Sequence, residues 1–174
     1  MIELQPFERS DFQQLIAWIE SSAFMLQWGG PNIDYPLDEK QLEEYIKNAD
    51  TMAYKVVEQE SGKAVGHIAL KQINNKTRSA RISKVLVGDK GMRGQGIGQQ
   101  MIKEVLKIAF DNLRLHRVSL GVFDFNESAI ACYERCGFVK EGLRREVVRN
   151  EDKYWSIYEM SMLEDEWSKV KQIT

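Results

Sequence analysis

The chain has 174 residues, which is enough for one domain and short for two. Hydrophobic residues make up 43% and charged residues 29%, as in ordinary globular proteins, and a net charge of −2 argues against a dedicated nucleic-acid-binding protein. No stretch approaches the ~20 apolar residues that span a bilayer, so we expect a single cytoplasmic domain over residues 1–174 with no membrane partner.

Apolar periodicity predicts a strand, two helices and three strands in the first half of the chain. Two stretches carry apolar residues on one face at the helical period of 3.6, and later stretches alternate at the period of two that is typical of strands. Aromatic and turn residues mix between the two helices, so residues 21–37 are predicted to be irregular. The predicted helices are 10–20 and 37–49, and the predicted strands are 1–8, 51–59, 64–73 and 78–88.

The second half predicts a strand between two helices, followed by a hairpin. The helices are expected from about Gly96 to Asn112 and over residues 126–136, where Gly137 is typical of a helix end. The strands are expected at 116–123, 138–149 and 153–163. Hairpins joined to one strand–helix–strand crossover indicate a layered α+β or α/β fold, with a mixed, mostly antiparallel sheet of about seven strands and helices on both faces.

The stretch RGQGIG at residues 93–98 places three alternating glycines where a helix is predicted to begin. The first backbone N–H groups of a helix lack partners, and glycines let an anion approach them without Cβ atoms in the way. The dinucleotide fingerprint GxGxxG fails because its third position is Gln99, and no glycine–lysine pair fits a nucleotide-triphosphate loop. The stretch therefore indicates a phosphate site, or else a glycine-rich start that serves only the turn.

A second motif, NESAIACYERCGF, spans residues 126–138 and follows the glycine loop by some thirty residues. Together with VLV at 85–87 and RGQGIG, it resembles the GNAT superfamily of acyl-coenzyme A dependent N-acetyltransferases. The resemblance is detailed over residues 79–163 and loose over the first 75. Residues 141–163 also resemble the branch that includes ribosomal-protein N-terminal and spermidine acetyltransferases.

The resemblance implies a GNAT fold and an acetyl-CoA site at the splay between the strand that ends at Val87 and the strand that follows the crossover helix. The pyrophosphate is expected on the loop amides, and the pantetheine arm along the backbone of residues 85–87. The residues implied to bind the cofactor are Val85, Leu86, Val87, Arg93, Gly94, Gln95, Gly96, Ile97, Gly98, Gln99, Asn126 and Tyr133.

Two residues are expected to take part in the chemistry. The amide of Leu86 would polarise the thioester carbonyl, and the hydroxyl of Tyr133 would protonate the departing sulfur. The alternatives are a tyrosine that only packs its helix and, for Asn126, a helix N-cap in place of a cofactor contact. No general base is named, because Gly121 stands where some relatives have a glutamate. Asp124, Glu146, a water chain and capture of the neutral amine all stay open.

The acceptor site is expected between the first two helices and the last hairpin, lined by Trp28 and Tyr35. These aromatic residues could equally fill the core under the irregular segment. His67 is interpreted as structural, and Cys132 and Cys136 as two buried or half-buried thiols, with no metal site.

The expected function is transfer of an acetyl group from acetyl-CoA to a primary amine, by direct attack in a ternary complex. A protein N-terminus, a polyamine and an aminoglycoside-like amine all stay open as acceptors, and a homodimer is compatible with the sequence. Two other classes stay open: a catalytically silent acyl-CoA-binding module, and an α+β protein whose glycine loop holds an unrelated phosphate.

Overall fold

The computed structural model of the protein describes residues 1–173, and its strands form one seven-stranded sheet. The strands are β1 (Ile2–Pro6), β2 (Met52–Glu58), β3 (Ala64–Asn74), β4 (Ser79–Val87), β5 (Arg117–Phe123), β6 (Val139–Asn150) and β7 (Lys153–Leu163). They lie in the order β1-β2-β3-β4-β5-β7-β6, and all neighbours are antiparallel except β4 and β5. The predicted mixed, mostly antiparallel sheet is confirmed.

Six α-helices accompany the sheet within residues 1–173. Side chains cap three of them: Ser21, Asp38 and Asn126 each accept a hydrogen bond from a backbone N–H in the first turn. No helix in this range is long and apolar enough to cross a membrane. The helices are α1 (Phe12–Trp18), α2 (Ser22–Gly29), α3 (Glu39–Lys47), α4 (Ile97–Leu106, continued by π-type turns at Lys107–Asn112), α5 (Glu127–Arg135) and α6 (Glu164–Ile173).

Two helices were not predicted from the sequence. The irregular segment expected at 21–37 begins with α2, whose Ser21 cap and buried Met25 and Trp28 stabilise a short helix. The C-terminal helix α6 starts with three acidic residues, which suit the positive end of the helix dipole. Its Trp167 stacks on Phe110, with ring centroids 6.0 Å apart.

The sheet carries a hydrophobic core on each face. Helices α4 and α5 cover one face, where Met101, Ile102 and Val105 are fully buried against the strands. Helices α1 to α3 cover part of the other face and bury Phe12, with Trp28 at the edge next to β4. The expected placement of helices on both faces is confirmed.

Strands β4 and β5 pair only at their start. Their register runs from Ser79↔Arg117 to Arg81↔Ser119 and then stops, while β4 continues to pair with β3 as far as Val87. A bulge follows at Lys84, whose φ is +52°. Because of this bulge, Ile82 faces the core beneath α4, whereas Leu86 faces the core of α1 to α3. The two strands therefore splay, and the sheet opens at its centre.

Candidate functional site

A cavity of about 660 Å³ occupies the opening between β4 and β5. This volume is typical of a cofactor or small-molecule site. Residues of α4 and α5 line its end on one face of the sheet, and residues of α2 and the following turn line its end on the other face. The cavity therefore connects the two faces of the sheet through the splay.

The glycine loop forms one end of this cavity. Gly94 and Gly96 have φ values of +76° and +79°, which lie in the left-handed region that favours glycine. A Cβ atom built at either position meets no atom within 4 Å, so the space over the loop is open. No side chain caps α4, which leaves the N–H groups of its first turn free for a ligand. These observations fit a diphosphate.

Most of the predicted loop residues line the cavity. Gly94, Gly96, Ile97, Gly98 and Gln99 are among the lining residues. Gln95 is not, since its side chain turns back to donate a hydrogen bond to the carbonyl of Gly91.

Arg93 also lines the cavity. Its Nε donates to the carbonyl of Val87, with 2.9 Å between the two atoms, which ties the loop to the end of β4. The guanidinium is thereby fixed at the edge of the phosphate end, where a permanent cation favours an anionic ligand.

Helix α5 brings Asn126 and Tyr133 to the cavity. The side chain of Asn126 accepts a hydrogen bond from the Ala129 amide, 3.3 Å away, so the helix-cap alternative is correct. The cap uses only the oxygen of that side chain, and its amide nitrogen makes no hydrogen bond to the described residues. The cap and a cofactor contact are therefore compatible.

Tyr133 is buried, and its hydroxyl makes no hydrogen bond to any residue in the range 1–173. Burial raises the pKa of this phenol well above its usual range, and the thiols of Cys132 and Cys136 add to the shift. The hydroxyl is therefore protonated at every physiological pH and is available as a proton donor. Cys132 is half-buried and Cys136 is buried, and both are free thiols, as expected from the sequence.

The three residues VLV run along the splayed edge of β4, and all of them line the cavity. Leu86 pairs with His67 of β3, and its side chain is buried in the core of α1 to α3. Its backbone is therefore held in place at the point where the sheet opens.

The two aromatic residues predicted for the acceptor site are separated in the structure. Trp28 lines the cavity, and its indole N–H donates to the carbonyl of Lys84 at the bulge, 3.1 Å away. Tyr35 is 46% exposed, lies outside the residues that line the cavity, and its hydroxyl donates to the carbonyl of Glu20. The structure thus brings Trp28, and not Tyr35, to the other predicted site residues.

A buried histidine lies next to Trp28 and contacts a half-buried tyrosine. Nε2 of His67 lies 3.0 Å from the hydroxyl of Tyr45, and burial lowers the pKa of His67 to about 3, with the charge of Lys84 adding to the shift. His67 is therefore neutral, in line with the structural role expected for it. Its Nδ1 is one of two buried side-chain polar atoms without a partner in residues 1–173, and the other is the hydroxyl of Ser83.

Sequence reasoning missed the basic residues that line the other end of the cavity. These are Lys71 on β3, Arg81 and Lys84 on β4, and Arg144 on β6. The ammonium of Lys84 lies 5.6 Å from the ring centroid of Trp28 and 5.0 Å from that of Tyr45. Burial and the nearby charge of Lys71 lower the pKa of Lys84 to about 8. Among the described residues, no Asp or Glu lines the cavity.

Comparison with known proteins identifies a family. A sequence profile described as "Acetyltransferase (GNAT) family" matches residues 13–138. The chain is 30% identical to the spermidine N(1)-acetyltransferase of Vibrio cholerae over 112 residues, which is 64% of either chain. It is 26% identical to the L-amino acid N-acetyltransferase AaaT of Escherichia coli over 100 residues, 58% of this chain and 62% of that protein. These alignments span less than two thirds of each relative.

Solved structures match over nearly the whole chain. The crystal structure of spermidine N-acetyltransferase from Vibrio cholerae in complex with CoA and spermine superimposes with a TM-score of 0.83 at 25% identity. The match covers 96% of this chain and 98% of that chain. The fold seen here is therefore the fold of that enzyme.

Proposed function

This chain belongs to the acetyltransferase (GNAT) family, and from that premise we propose that it transfers an acetyl group from acetyl-CoA to a primary amine. One observation carries the proposal. The left-handed glycine loop, the splayed edge of β4 and the unpaired hydroxyl of Tyr133 all lie on one cavity. The relatives carry the names of polyamine and amino-acid acetyltransferases, so the names leave the acceptor open.

The residues of the phosphate end suit the diphosphate of acetyl-CoA. The amides of residues 94–99 surround open space at the start of α4, and the positive end of the helix dipole favours an anion there. The amide nitrogen of Asn126 is free to donate to the pantetheine arm. The splayed edge at residues 85–87 gives that arm a strand to pair with, as in the addition of a peptide to a sheet edge.

Tyr133 is the proposed acid. Acetyl-CoA, when bound, supplies the acetyl group as a thioester. The bond between nitrogen and the acetyl carbon forms, the bond between that carbon and sulfur breaks, and the phenol proton of Tyr133 passes to sulfur. Solvent then returns a proton to Tyr133, and the nitrogen gives its own proton to water. The raised pKa keeps the phenol in the donor form between turnovers.

Leu86 is the proposed electrophilic contact. Its side chain is buried and its backbone pairs with β3, so its amide is held in place and can polarise the thioester carbonyl without rearrangement. Removing one such donor costs about 3 kcal/mol of transition-state stabilisation in known enzymes.

The amine must reach the thioester in its neutral form. No carboxylate among residues 1–173 lines the cavity, and neither Asp124 nor Glu146 belongs to its wall. The neutral fraction of the acceptor, with water as proton carrier, therefore serves in place of a protein base. Turnover should then rise with pH toward the pKa of the acceptor amine.

The experiment is a thiol-release assay with acetyl-CoA and a panel of amines, together with calorimetric titration of acetyl-CoA. The proposal expects acetyl-CoA to bind and thiol to appear only when an amine is present. Binding without amine-dependent thiol release would indicate the silent acyl-CoA-binding module. No binding at all would indicate that the loop holds an unrelated phosphate. A cytoplasmic location follows from the proposal, since that compartment supplies acetyl-CoA.

A further inference from the structure

The charged side chains of described residues that line the cavity are all of one sign. Its lining residues in the described range 1–173 include six basic side chains and no acidic one. A polycationic acceptor would enter this cavity against like charges, whereas an anionic group would be attracted. The six basic residues are Lys71, Arg81, Lys84, Arg93, Arg135 and Arg144.

The basic residues divide between the two ends of the cavity. Arg93 belongs to the glycine loop and Arg135 to α5, at the phosphate end. Lys84 comes three residues before Val87 on β4, and Arg81 comes six residues before it. At ~3.3 Å per strand residue, these two positions lie roughly 10 Å and 20 Å from the start of the loop. The diphosphate therefore does not account for them.

Two of these cations already have acidic neighbours. The guanidinium of Arg81 donates to both carboxylate oxygens of Glu159 and to the hydroxyl of Ser119. The charge of Asp50 raises the pKa of Lys71, against the larger lowering by burial and by Arg81. Both charges are therefore partly balanced within the protein.

Lys84 has no such balance. No carboxylate of residues 1–173 lies within 4.0 Å of its ammonium, and its neighbours are the rings of Trp28 and Tyr45 and the cation of Lys71. A half-buried ammonium without a counter-ion costs free energy, and a bound anion would recover it. The partnerless hydroxyl of Ser83, the preceding residue of the cavity wall, is a second polar group without a role in the free protein.

We propose that the acceptor amine carries a carboxylate, as an α-amino acid does, and that Lys84 binds this carboxylate. The proposal rests on the acetyltransferase function proposed above. Lys84 stands directly before the VLV stretch at which the thioester is expected, and its ammonium lies beside the ring of Trp28 in the same cavity wall, so a carboxylate bound there lies on the acceptor side of the thioester. An α-amino acid carries its carboxylate next to its amine and presents both groups at this end of the cavity. Phe24, Trp28 and Pro31 line the same end and suit an apolar side chain.

The first test compares L-leucine with L-leucinamide and with spermidine in the thiol-release assay. With kcat/KM expressed per neutral amine, the proposal expects the value for L-leucine to exceed that for the amide by about tenfold or more, the worth of one hydrogen bond to a charged group. The amide has the less basic nitrogen and hence the larger neutral fraction, and expressing kcat/KM per neutral amine removes this difference from the comparison. Equal values for the two, or a preference for spermidine, would overturn the proposal.

The second test uses K84M, which keeps the length and the packing of the side chain and removes its charge. The ratio of kcat/KM between L-leucine and L-leucinamide, each expressed per neutral amine, should fall toward one in K84M and should persist in K84R. K76M is the matched control, because Lys76 is exposed in the turn before β4 and outside the cavity. If K84M lowers kcat/KM equally for both acceptors, Lys84 is only structural and the proposal fails.

A binding measurement separates this proposal from the one it rests on. Calorimetric titration of L-leucine into the protein saturated with CoA does not require turnover. If no amine releases thiol, the acetyltransferase function is wrong. Binding of L-leucine that K84M weakens about tenfold would then still support the carboxylate site, and absence of binding would refute it.

Discussion

The variant Gly96→Ala, compared with a control variant, is expected to distinguish the effect of backbone strain on stability from the effect of the added methyl group on phosphate binding. Gly96 has a φ of +79°, and a Cβ there meets nothing within 4 Å. Gly62, in the hairpin between β2 and β3, has a φ of +67° and equally open surroundings, but it lies outside the cavity. Gly62→Ala is therefore a matched control that carries the same backbone strain.

The two variants are expected to change stability by the same amount but acetyl-CoA binding by different amounts. A left-handed alanine costs about 1–2 kcal/mol, so both variants should lower the melting temperature by roughly 2–8 °C in a chain of this size. In Gly96→Ala the added methyl group also occupies the space above the loop amides, where each hydrogen bond to a phosphate oxygen is worth about 1.5–3 kcal/mol. The Kd of acetyl-CoA should therefore rise at least about tenfold.

The assay is calorimetric titration of acetyl-CoA into the three proteins, with melting curves recorded in parallel. The reasoning expects a weakened Kd in Gly96→Ala and an unchanged Kd in Gly62→Ala. It is refuted if the two variants bind acetyl-CoA equally well while both fold, because the loop amides would then not hold the diphosphate.

Three further predictions concern other parts of the site and the fold. Tyr133→Phe should lower kcat about 100-fold and leave the Kd of acetyl-CoA nearly unchanged, and an equal loss in both would remove Tyr133 from the role of acid. Because the pKa of Lys84 is lowered to about 8, its ammonium is charged below that pH and neutral above it. The KM for L-leucine in the parent protein, divided by the KM of K84M at the same pH, should therefore rise as the pH passes 8, because titration of the amine is common to both proteins, and a constant ratio would contradict the reasoning. Gly88→Ala should destabilise the fold by about 1–3 kcal/mol in urea unfolding, since the new Cβ would clash with the ring of Trp18, and an unchanged midpoint would contradict that packing.

The sequence predicted all seven strands because each is long enough for its period to be read. The helices differ in how clearly the sequence marks them. Helix α3 begins at a capping Asp38 and α5 at a capping Asn126, and both were found with small errors at their ends. Helix α2 has only eight residues with mixed polarity, so its periodicity does not predict a helix. The helix forms because it buries Trp28.

The phosphate end of the site was predictable because backbone geometry dictates its residue type. The loop before α4 has positive φ at two residues, a backbone conformation that favours glycine. Gly94 and Gly96 stand at these two positions. Those predicted contacts stay predictions, but the structure gathers nearly all of them on one cavity.

The acceptor end was not predictable because it depends on long-range packing. The bulge at Lys84 turns its side chain among rings from α2 and α3, and alternation along the strand gives no sign of such a bulge. Tyr35 is the opposite case, since the structure places this aromatic residue at the surface and outside the cavity wall.

A crystal structure of the chain with bound CoA tests the central claim most directly. The account predicts diphosphate oxygens at about 3 Å from backbone nitrogens of residues 94–99, with the sulfur next to the hydroxyl of Tyr133. A diphosphate held anywhere else, with those amides left to water, would contradict it.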